Sequence, residues 1–151
     1  MTPETPNPEQ PALTLDERIQ RNKALLLQAL KGVGAVLAMV SYSGGGDEGF
    51  PNETSAVRAD GESADLSANV DVHVEQRRFA DQQWQTSTEM EDQRLDQALA
   101  DFAMEMVELH HAGWYDGEGG SGQVMFDCAA DVVRIEHREY YTATNRTETS
   151  L

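Results

Sequence analysis

Two glycine-rich segments of the chain carry carboxylates that could converge on a ligand. The acids are Asp47 and Glu48 in the first segment and Asp116 and Glu118 in the second. Oxygen ligands of this kind suit a hard cation such as Ca²⁺ or Mg²⁺. His110 and His111 lie beside the second segment and could serve a transition metal instead. The spacing matches no known calcium loop or zinc signature. The alternative is that the glycines form turns and the acids stay solvated.

Other catalytic arrangements find little support in the sequence. A phosphate-binding loop follows a strand and opens a helix, whereas Gly113–Gly122 is expected to follow a helix and open a strand, and its acids would repel phosphate. Cys128 shares a strand face with Val124 and Phe126, which predicts a buried and unreactive thiol. We therefore predict no catalytic residues and no cofactor, and favour a protein that is not an enzyme.

The charge of the chain is strongly negative and unevenly distributed. The formal net charge is −16, which disfavours direct binding to nucleic acid or to an anionic membrane. Residues 81–116 contain nine acids and one arginine, while the segment expected to form the first helix is basic. Asp101, Glu105 and Glu108 form a stripe at helical spacing. Such a face could steer a basic partner or mimic DNA; the alternative is a solvated acidic surface.

Two helices are predicted from capping signals and apolar periodicity. Thr14 and Glu17 fit a capping box, and glycines 32 and 34 end the first helix. A second box, Thr88 with Glu91, predicts a helix over Glu91–His111. The apolar stripes of the two helices consist of Leu15, Ile19, Leu26, Leu27 and Leu30, and of Leu95, Leu99, Phe102, Met106 and Leu109.

The remaining segments predict strands. Ala35–Tyr42 is apolar on both faces and is expected at the centre of a sheet. Short edge strands, 55–59 and 62–66, would pair around Asp60-Gly61, and the valines of 70–74 alternate with polar residues. Strands over Gln123–Cys128 and Val132–Tyr141 complete an α+β fold, a small antiparallel sheet with two helices packed on one face.

The length of 151 residues suits one domain. We predict a disordered leader over 1–13, a single domain over 14–142 and a frayed tail over 143–151. The proline-rich start lacks a signal-peptide pattern, and no apolar run reaches the roughly 20 residues that span a bilayer. With a single cysteine, Cys128, these features predict a cytoplasmic protein without a disulfide.

Three segments carry a family resemblance: Ser41-Tyr42-Ser43-Gly44-Gly45-Gly46-Asp47-Glu48-Gly49, the segment from Ala98 into Gly113-Trp114, and Gly122–Asp127. In these segments the chain resembles an uncharacterised family of small acidic proteins carried on bacterial plasmids, mobile elements and phages. The resemblance covers most of residues 14–145 and departs from the family pattern at Ala112 and Glu48. It implies accessory genes, among which anti-defence proteins are common, and it implies no activity.

The sequence thus predicts an acidic, non-enzymatic protein-binding module of a mobile element. Its partner would be a basic host protein or nucleoprotein complex. The module could inhibit a host defence system, as an anti-CRISPR or anti-restriction protein, through a negatively charged face that could mimic DNA. The expected partner-binding residues are Asp101, Glu105, Glu108, Trp114, Tyr115, Asp116, Glu118, Asp47 and Glu48. Two alternatives stay open: a metal-dependent enzyme or metal-binding domain using Asp47, Glu48, Asp116, Glu118 and His110, and an accessory domain acting as a homodimer or larger oligomer.

Overall fold

The computed structural model describes residues 12–141, 143–144 and 146–150. The elements are α1 (Leu15–Gly32), β1 (Ala35–Gly45), β2 (Glu48–Arg58), β3 (Asn69–Ala80), β4 (Gln83–Arg94), α2 (Leu95–His110), β5 (Gly120–Asp127) and β6 (Val132–Glu139). Residues 1–11 of the expected leader lie outside the described part of the chain, as does residue 142, the expected end of the domain.

The strands form two antiparallel sheets. Four of them make a sheet in the order β2-β1-β5-β6, and β3 and β4 make a separate two-stranded hairpin. Every described pairing is antiparallel, so the predicted α+β class is confirmed. β1 lies between β2 and β5, which places the most apolar strand inside the sheet as its sequence predicts.

Both helices pack on one face of the four-stranded sheet, and the base of the hairpin packs against the helices. On β5, Val124 and Phe126 are fully buried, and Phe126 meets Phe102 of α2 with ring centroids 5.9 Å apart. α1 begins with the predicted capping box, in which the Thr14 hydroxyl accepts a bond from the Glu17 backbone N–H. Because α2 is covered on two sides, eight of its sixteen residues are buried.

The prediction for the start of α2 is wrong. The helix begins at Leu95, and the expected capping residues Thr88 and Glu91 lie in β4, paired with Glu75 and Val72. Its N-cap position has no side-chain cap. A capping residue contributes only about 1 kcal/mol, whereas the hairpin pairs every residue from Asn69–Ala80 with one from β4. Long-range pairing therefore overrides the local signal.

The prediction for residues 50–66 is wrong in part. The turn at Asp60-Gly61 forms, and the Gly61 N–H donates to the Arg58 carbonyl at 2.9 Å. However, the strand before this turn is the eleven-residue β2, which pairs with β1. The segment after the turn makes a single bridge, Val57 to Ser63. The apolar β1 needs a partner along its whole length, and β2 satisfies its backbone groups.

A buried asparagine fastens the hairpin to α1. The Asn22 amide nitrogen donates to the His73 carbonyl at 2.9 Å, and its amide oxygen accepts from the His73 N–H at 2.7 Å. Asn22 is the buried polar residue of the described core, at 6% exposure. Its side chain therefore satisfies backbone groups of β3 that face away from β4.

We expect Asn22→Leu to lower the free energy of unfolding by about 2–4 kcal/mol, because two hydrogen bonds are lost and buried backbone groups remain unpaired. Asn52→Ala is the control, since among the described residues the exposed Asn52 side chain bonds only to the Ser43 hydroxyl; it should cost under about 1 kcal/mol. Urea unfolding measures both. Equal losses in the two variants would contradict this role of Asn22.

Candidate functional site

The first glycine-rich segment is a tight hairpin and not an extended loop. β1 continues to Gly45 and β2 starts at Glu48, so only Gly46 and Asp47 form the turn. Both turn residues have a positive φ, 61° and 73°, the pairing that a two-residue hairpin of the primed type requires. A glycine-rich acidic loop would be expected over Ser41–Gly49 from its composition, and this expectation is wrong because most of these residues belong to strands.

The second segment lies against that turn. The Asp47 N–H donates to the Tyr115 carbonyl at 3.2 Å. Gly119 approaches the β1 backbone so closely that an added Cβ would lie 2.7 Å from the Gly45 Cα. Gly120 already belongs to β5. The two segments thus meet at one end of the four-stranded sheet.

This meeting defines the acidic sheet end, a surface formed by four exposed side chains: Asp47, Glu48, Asp116 and Glu118. None of the four carboxylates forms an ion pair with a basic side chain of the described residues. His110, the fifth residue of the alternative metal set, is exposed and lines a groove with Ile19 and Val133 on the helix side of the sheet. The structure brings the backbone segments of the two acid pairs together, and it places His110 in a groove that none of these four acids lines.

A second cluster at the same end combines aromatic rings with histidines. Tyr42 on β1 meets Trp114 edge to face, with centroids 5.0 Å apart and an interplanar angle of 75°. The ring of His137 on β6 is nearly parallel to that of Tyr42, with centroids 5.8 Å apart, and it stacks with His111 at 4.1 Å. Edge-to-face and offset-stacked rings are the favoured aromatic geometries. We call these four residues the Tyr–Trp–His cluster.

Glycines in the strands make room for this cluster. An added Cβ at Gly49 would lie 2.6 Å from Trp114 Cη2, and one at Gly44 would lie 3.0 Å from the same atom. At Gly122 an added Cβ would lie 2.5 Å from the Tyr42 hydroxyl oxygen. The absence of side chains at these glycines therefore lets the large rings pack directly against the strand backbone. Glycine in a strand often marks such a close approach.

The hydrogen bond of His137 to Tyr42 fixes the imidazole ring. The Tyr42 hydroxyl lies 2.6 Å from His137 Nδ1, and burial raises the pKa of Tyr42 to about 12. Burial, followed by the neighbouring His111, lowers the pKa of His137. Both groups are therefore neutral at pH 7. The other ring nitrogen, Nε2, is buried and has no hydrogen-bond partner among the described residues.

The remaining predicted partner-binding residues are distributed over different environments. Trp114 is only 4% exposed, so it packs in the core and does not present a ring to a partner. Glu105 accepts two bonds from the Arg18 guanidinium, at 3.0 and 2.5 Å. Asp101 accepts a bond from the Gln97 amide. The helical stripe is thus partly neutralised within the chain.

Cys128 is buried, with 3% exposure, as predicted from the apolar face that it shares with Val124 and Phe126. Burial raises the pKa of its thiol, which disfavours the nucleophilic thiolate.

The structure also reveals an exposed aromatic pair that sequence reasoning missed. Phe79 and Trp84 face each other across the tip of the hairpin, with ring centroids 5.4 Å apart. The sequence signal that could have predicted this pair is the two-residue turn Asp81-Gln82, which connects the two strands of the hairpin.

The fold and the site together define a small acidic α+β protein with a glycine-supported Tyr–Trp–His cluster beside an acidic sheet end. The chain belongs to the family of unknown function DUF6878, whose pattern matches residues 18–151. No curated protein matches the chain, and no solved structure matches it either. In the described part of the chain, neither helix has the length and apolar character needed to cross a membrane.

Proposed function

We propose that the protein binds a basic protein partner through the acidic sheet end, without catalysing a reaction. The observation that carries this proposal is that the turn bearing Asp47 and Glu48 lies against the segment bearing Asp116 and Glu118. None of these four exposed acids forms an ion pair with a basic side chain of the described residues. Like charges held together repel one another. A partner that brings Lys or Arg residues relieves this repulsion, which favours association.

Exposed aromatic side chains support a protein as the partner. Phe50 on β2 is 57% exposed, and Tyr140, which follows β6, is 53% exposed. The Tyr140 N–H donates to the Gly119 carbonyl at 2.9 Å, so Tyr140 lies beside the second glycine-rich segment, which carries Asp116 and Glu118. Aromatic rings supply much of the binding energy in protein interfaces, whereas surrounding charges mainly set orientation and association rate.

The proposal does not need α2 to imitate DNA. The sixteen residues of α2 span about 24 Å at roughly 1.5 Å per residue. The helix contains four acids, two of which form ion pairs with Arg94 and Arg18. Duplex DNA carries about one charge per 1.7 Å of its axis. The sheet end, and not the helix, is therefore the better candidate for a negative docking surface.

The resemblance to acidic proteins of plasmids and phages extends the proposal to the kind of partner. A host nuclease or nucleoprotein complex of a defence system presents basic surfaces that bind nucleic acid. An acidic protein that occupied such a surface would inhibit the system stoichiometrically. Within this proposal the protein acts in the cytoplasm of the host cell.

The test compares two variants that each remove four negative charges. The quadruple variant D47N/E48Q/D116N/E118Q neutralises the acidic sheet end. The control E53Q/E62Q/E75Q/E89Q neutralises exposed acids elsewhere in the described chain. Proteins retained from a host lysate at low and high salt are identified by mass spectrometry, and their affinities for each variant are then measured with purified components.

We expect the original protein and the control to bind the same partner, more weakly at high salt because exposed charges are screened. The sheet-end variant should lose at least about tenfold in affinity, equivalent to roughly 1.4 kcal/mol. Equal losses in the two variants would point to unspecific charge attraction. Unchanged affinity in the sheet-end variant would also overturn the proposal.

A further inference from the structure

Three potential metal ligands meet where α2 ends beside β6. His111 is the C-cap residue of α2, and His137 and Glu139 lie two positions apart on β6. Residues at this spacing point to the same side of a strand. One ligand atom from each residue lies within 4.8 Å of the other two. Local spacing does not predict this group, since 26 positions along the chain separate the two histidines.

The unpaired Nε2 of His137 indicates that His111, His137 and Glu139 form a binding site. The His137 side chain is 5% exposed, and its Nε2 has no hydrogen-bond partner among the described residues. The carboxylate of Glu139 is 3.5 Å from Nε2, which is long for a hydrogen bond. A buried polar atom without a partner is costly, by about 1–3 kcal/mol, and such atoms occur at binding sites.

We propose that His111, His137 and Glu139 bind a divalent transition-metal ion of the Zn²⁺ type. Two imidazoles and one carboxylate are a ligand set that zinc accepts, with water in the fourth position. Calcium and magnesium prefer oxygen ligands throughout. The acids expected to hold a hard cation, such as Asp116 and Glu118, are not ligands in this arrangement. They lie close by and raise the local concentration of cations.

The hydrogen bond with Tyr42 holds the His137 ring in the orientation that a metal ligand needs. In the metal-bound form His137 Nδ1 carries the proton and donates to the Tyr42 hydroxyl oxygen, 2.6 Å away. Nε2 is then left as the metal ligand. Ligating histidines in proteins usually have such a partner on the other ring nitrogen, which fixes the tautomer and the ring orientation. The glycine at 122, which admits the Tyr42 hydroxyl, thereby supports the site.

Metal binding requires the ligands to draw together. Ligands at about 2.0–2.1 Å from a tetrahedral zinc are roughly 3.3 Å apart, less than the 4.8 Å limit seen here. The His111 and His137 rings are also nearly parallel, at 21°, so one ring must rotate for both lone pairs to converge. His137 is held by Tyr42. Glu139 is 63% exposed and can move, and His111 lies just beyond the last residue of α2.

The experiment uses the full chain without an affinity tag, after removal of bound metal with a chelator and dialysis. Calorimetric titration and thermal unfolding are followed with Zn²⁺, Co²⁺, Mg²⁺ and Ca²⁺. We expect one Zn²⁺ per chain, and a rise in Tm of about 5–10 °C at a concentration 100 times the Kd. Co²⁺ should give the visible absorption of a four-coordinate site, whereas Mg²⁺ and Ca²⁺ should not bind in this range.

The variants H111Q and E139Q should each weaken Zn²⁺ binding at least about tenfold. Glu139 is exposed, so E139Q should fold normally even where a substitution at a more buried ligand does not. His110→Gln is the matched control, because His110 precedes His111 in the chain and lies outside the group. It should leave the affinity unchanged, and D47N/E48Q/D116N/E118Q should still bind one Zn²⁺, which separates this inference from the proposed function.

Absence of Zn²⁺ binding by the original protein would overturn the inference. So would equal affinity in the original protein, H111Q and E139Q, or an equal loss in H110Q. Metal binding by the sheet-end variant together with loss of its protein partner would support both proposals as independent properties of one end of the sheet.

Discussion

Replacing Trp114 with alanine should lower the free energy of unfolding by about 3–5 kcal/mol, the range typical of a buried tryptophan. The indole ring is 4% exposed, and it packs edge to face on Tyr42 while lying over Gly44 and Gly49. Strand glycines provide no side chain that could fill the space. The cavity would therefore stay open, and the cost of lost packing would not be recovered by local collapse.

Trp84→Ala is the matched control for this substitution. Trp84 is 64% exposed at the tip of the hairpin and contacts Phe79 and Arg77. Its loss should cost under about 1 kcal/mol. The chain has two tryptophans, so each variant retains one fluorescent reporter for urea unfolding. If Trp114→Ala kept its stability and lost only a binding partner, the ring would be a surface anchor and the packing argument would be wrong.

Gly122→Ala should be the second large effect, with a loss of at least about 3 kcal/mol from overpacking. The added Cβ would lie 2.5 Å from the Tyr42 hydroxyl oxygen and 2.9 Å from the ring carbon that bears it, and it would overlap the Glu136 carbonyl oxygen. The carbonyl belongs to the neighbouring strand of the ladder. A side-chain rotation cannot relieve this overlap, so β5 and β6 would have to separate.

Gly32→Ala provides the comparison for Gly122→Ala. No atom lies within 4 Å of a Cβ added at Gly32, the last residue of α1. Alanine is favoured over glycine in helices by up to about 1 kcal/mol, so this variant should be as stable as the original protein or slightly more stable. Thermal unfolding of the two alanine variants is the measurement. A Gly122→Ala protein with unchanged Tm would show that the sheet yields easily at this position.

Gly122→Ala and Glu139→Gln distinguish residues that position the metal ligands from the ligands themselves. Gly122→Ala displaces the Tyr42 hydroxyl and with it the bond to His137 Nδ1. Glu139→Gln leaves that bond in place and removes only a ligand charge. A combined loss of stability and metal affinity is therefore expected for the first, and a loss of affinity alone for the second.

The sequence predicted the features that depend on neighbouring residues. The capping box at Thr14 and the alternation of Val124, Phe126 and Cys128 have the predicted form in the structure. β1 is central, as its apolar faces indicate. In each case the signal is local, because a cap satisfies backbone groups within one turn and a strand exposes alternate faces to core and solvent.

The start of α2 illustrates where local reasoning fails. Thr88 and Glu91 have the spacing of a capping box, yet both pair with residues of β3 that lie far away in the sequence. A cap of about 1 kcal/mol cannot compete with twelve cross-strand pairs and the burial of Val70 and Val72. The polar sequence of the outer hairpin concealed this pairing, because it lacks an apolar face.

The sequence alone determined the α+β class, the acidic character and the presence of two glycine-rich acidic segments. That these segments meet at one sheet end is a finding of the tertiary structure. Only the tertiary structure decided what the glycines do and which side chains they serve. Packing of Tyr42 and Trp114 onto strand glycines is a contact between distant segments, and so is the approach of His111 to His137 and Glu139. Such contacts follow from sheet order and register, which no local spacing of residues encodes.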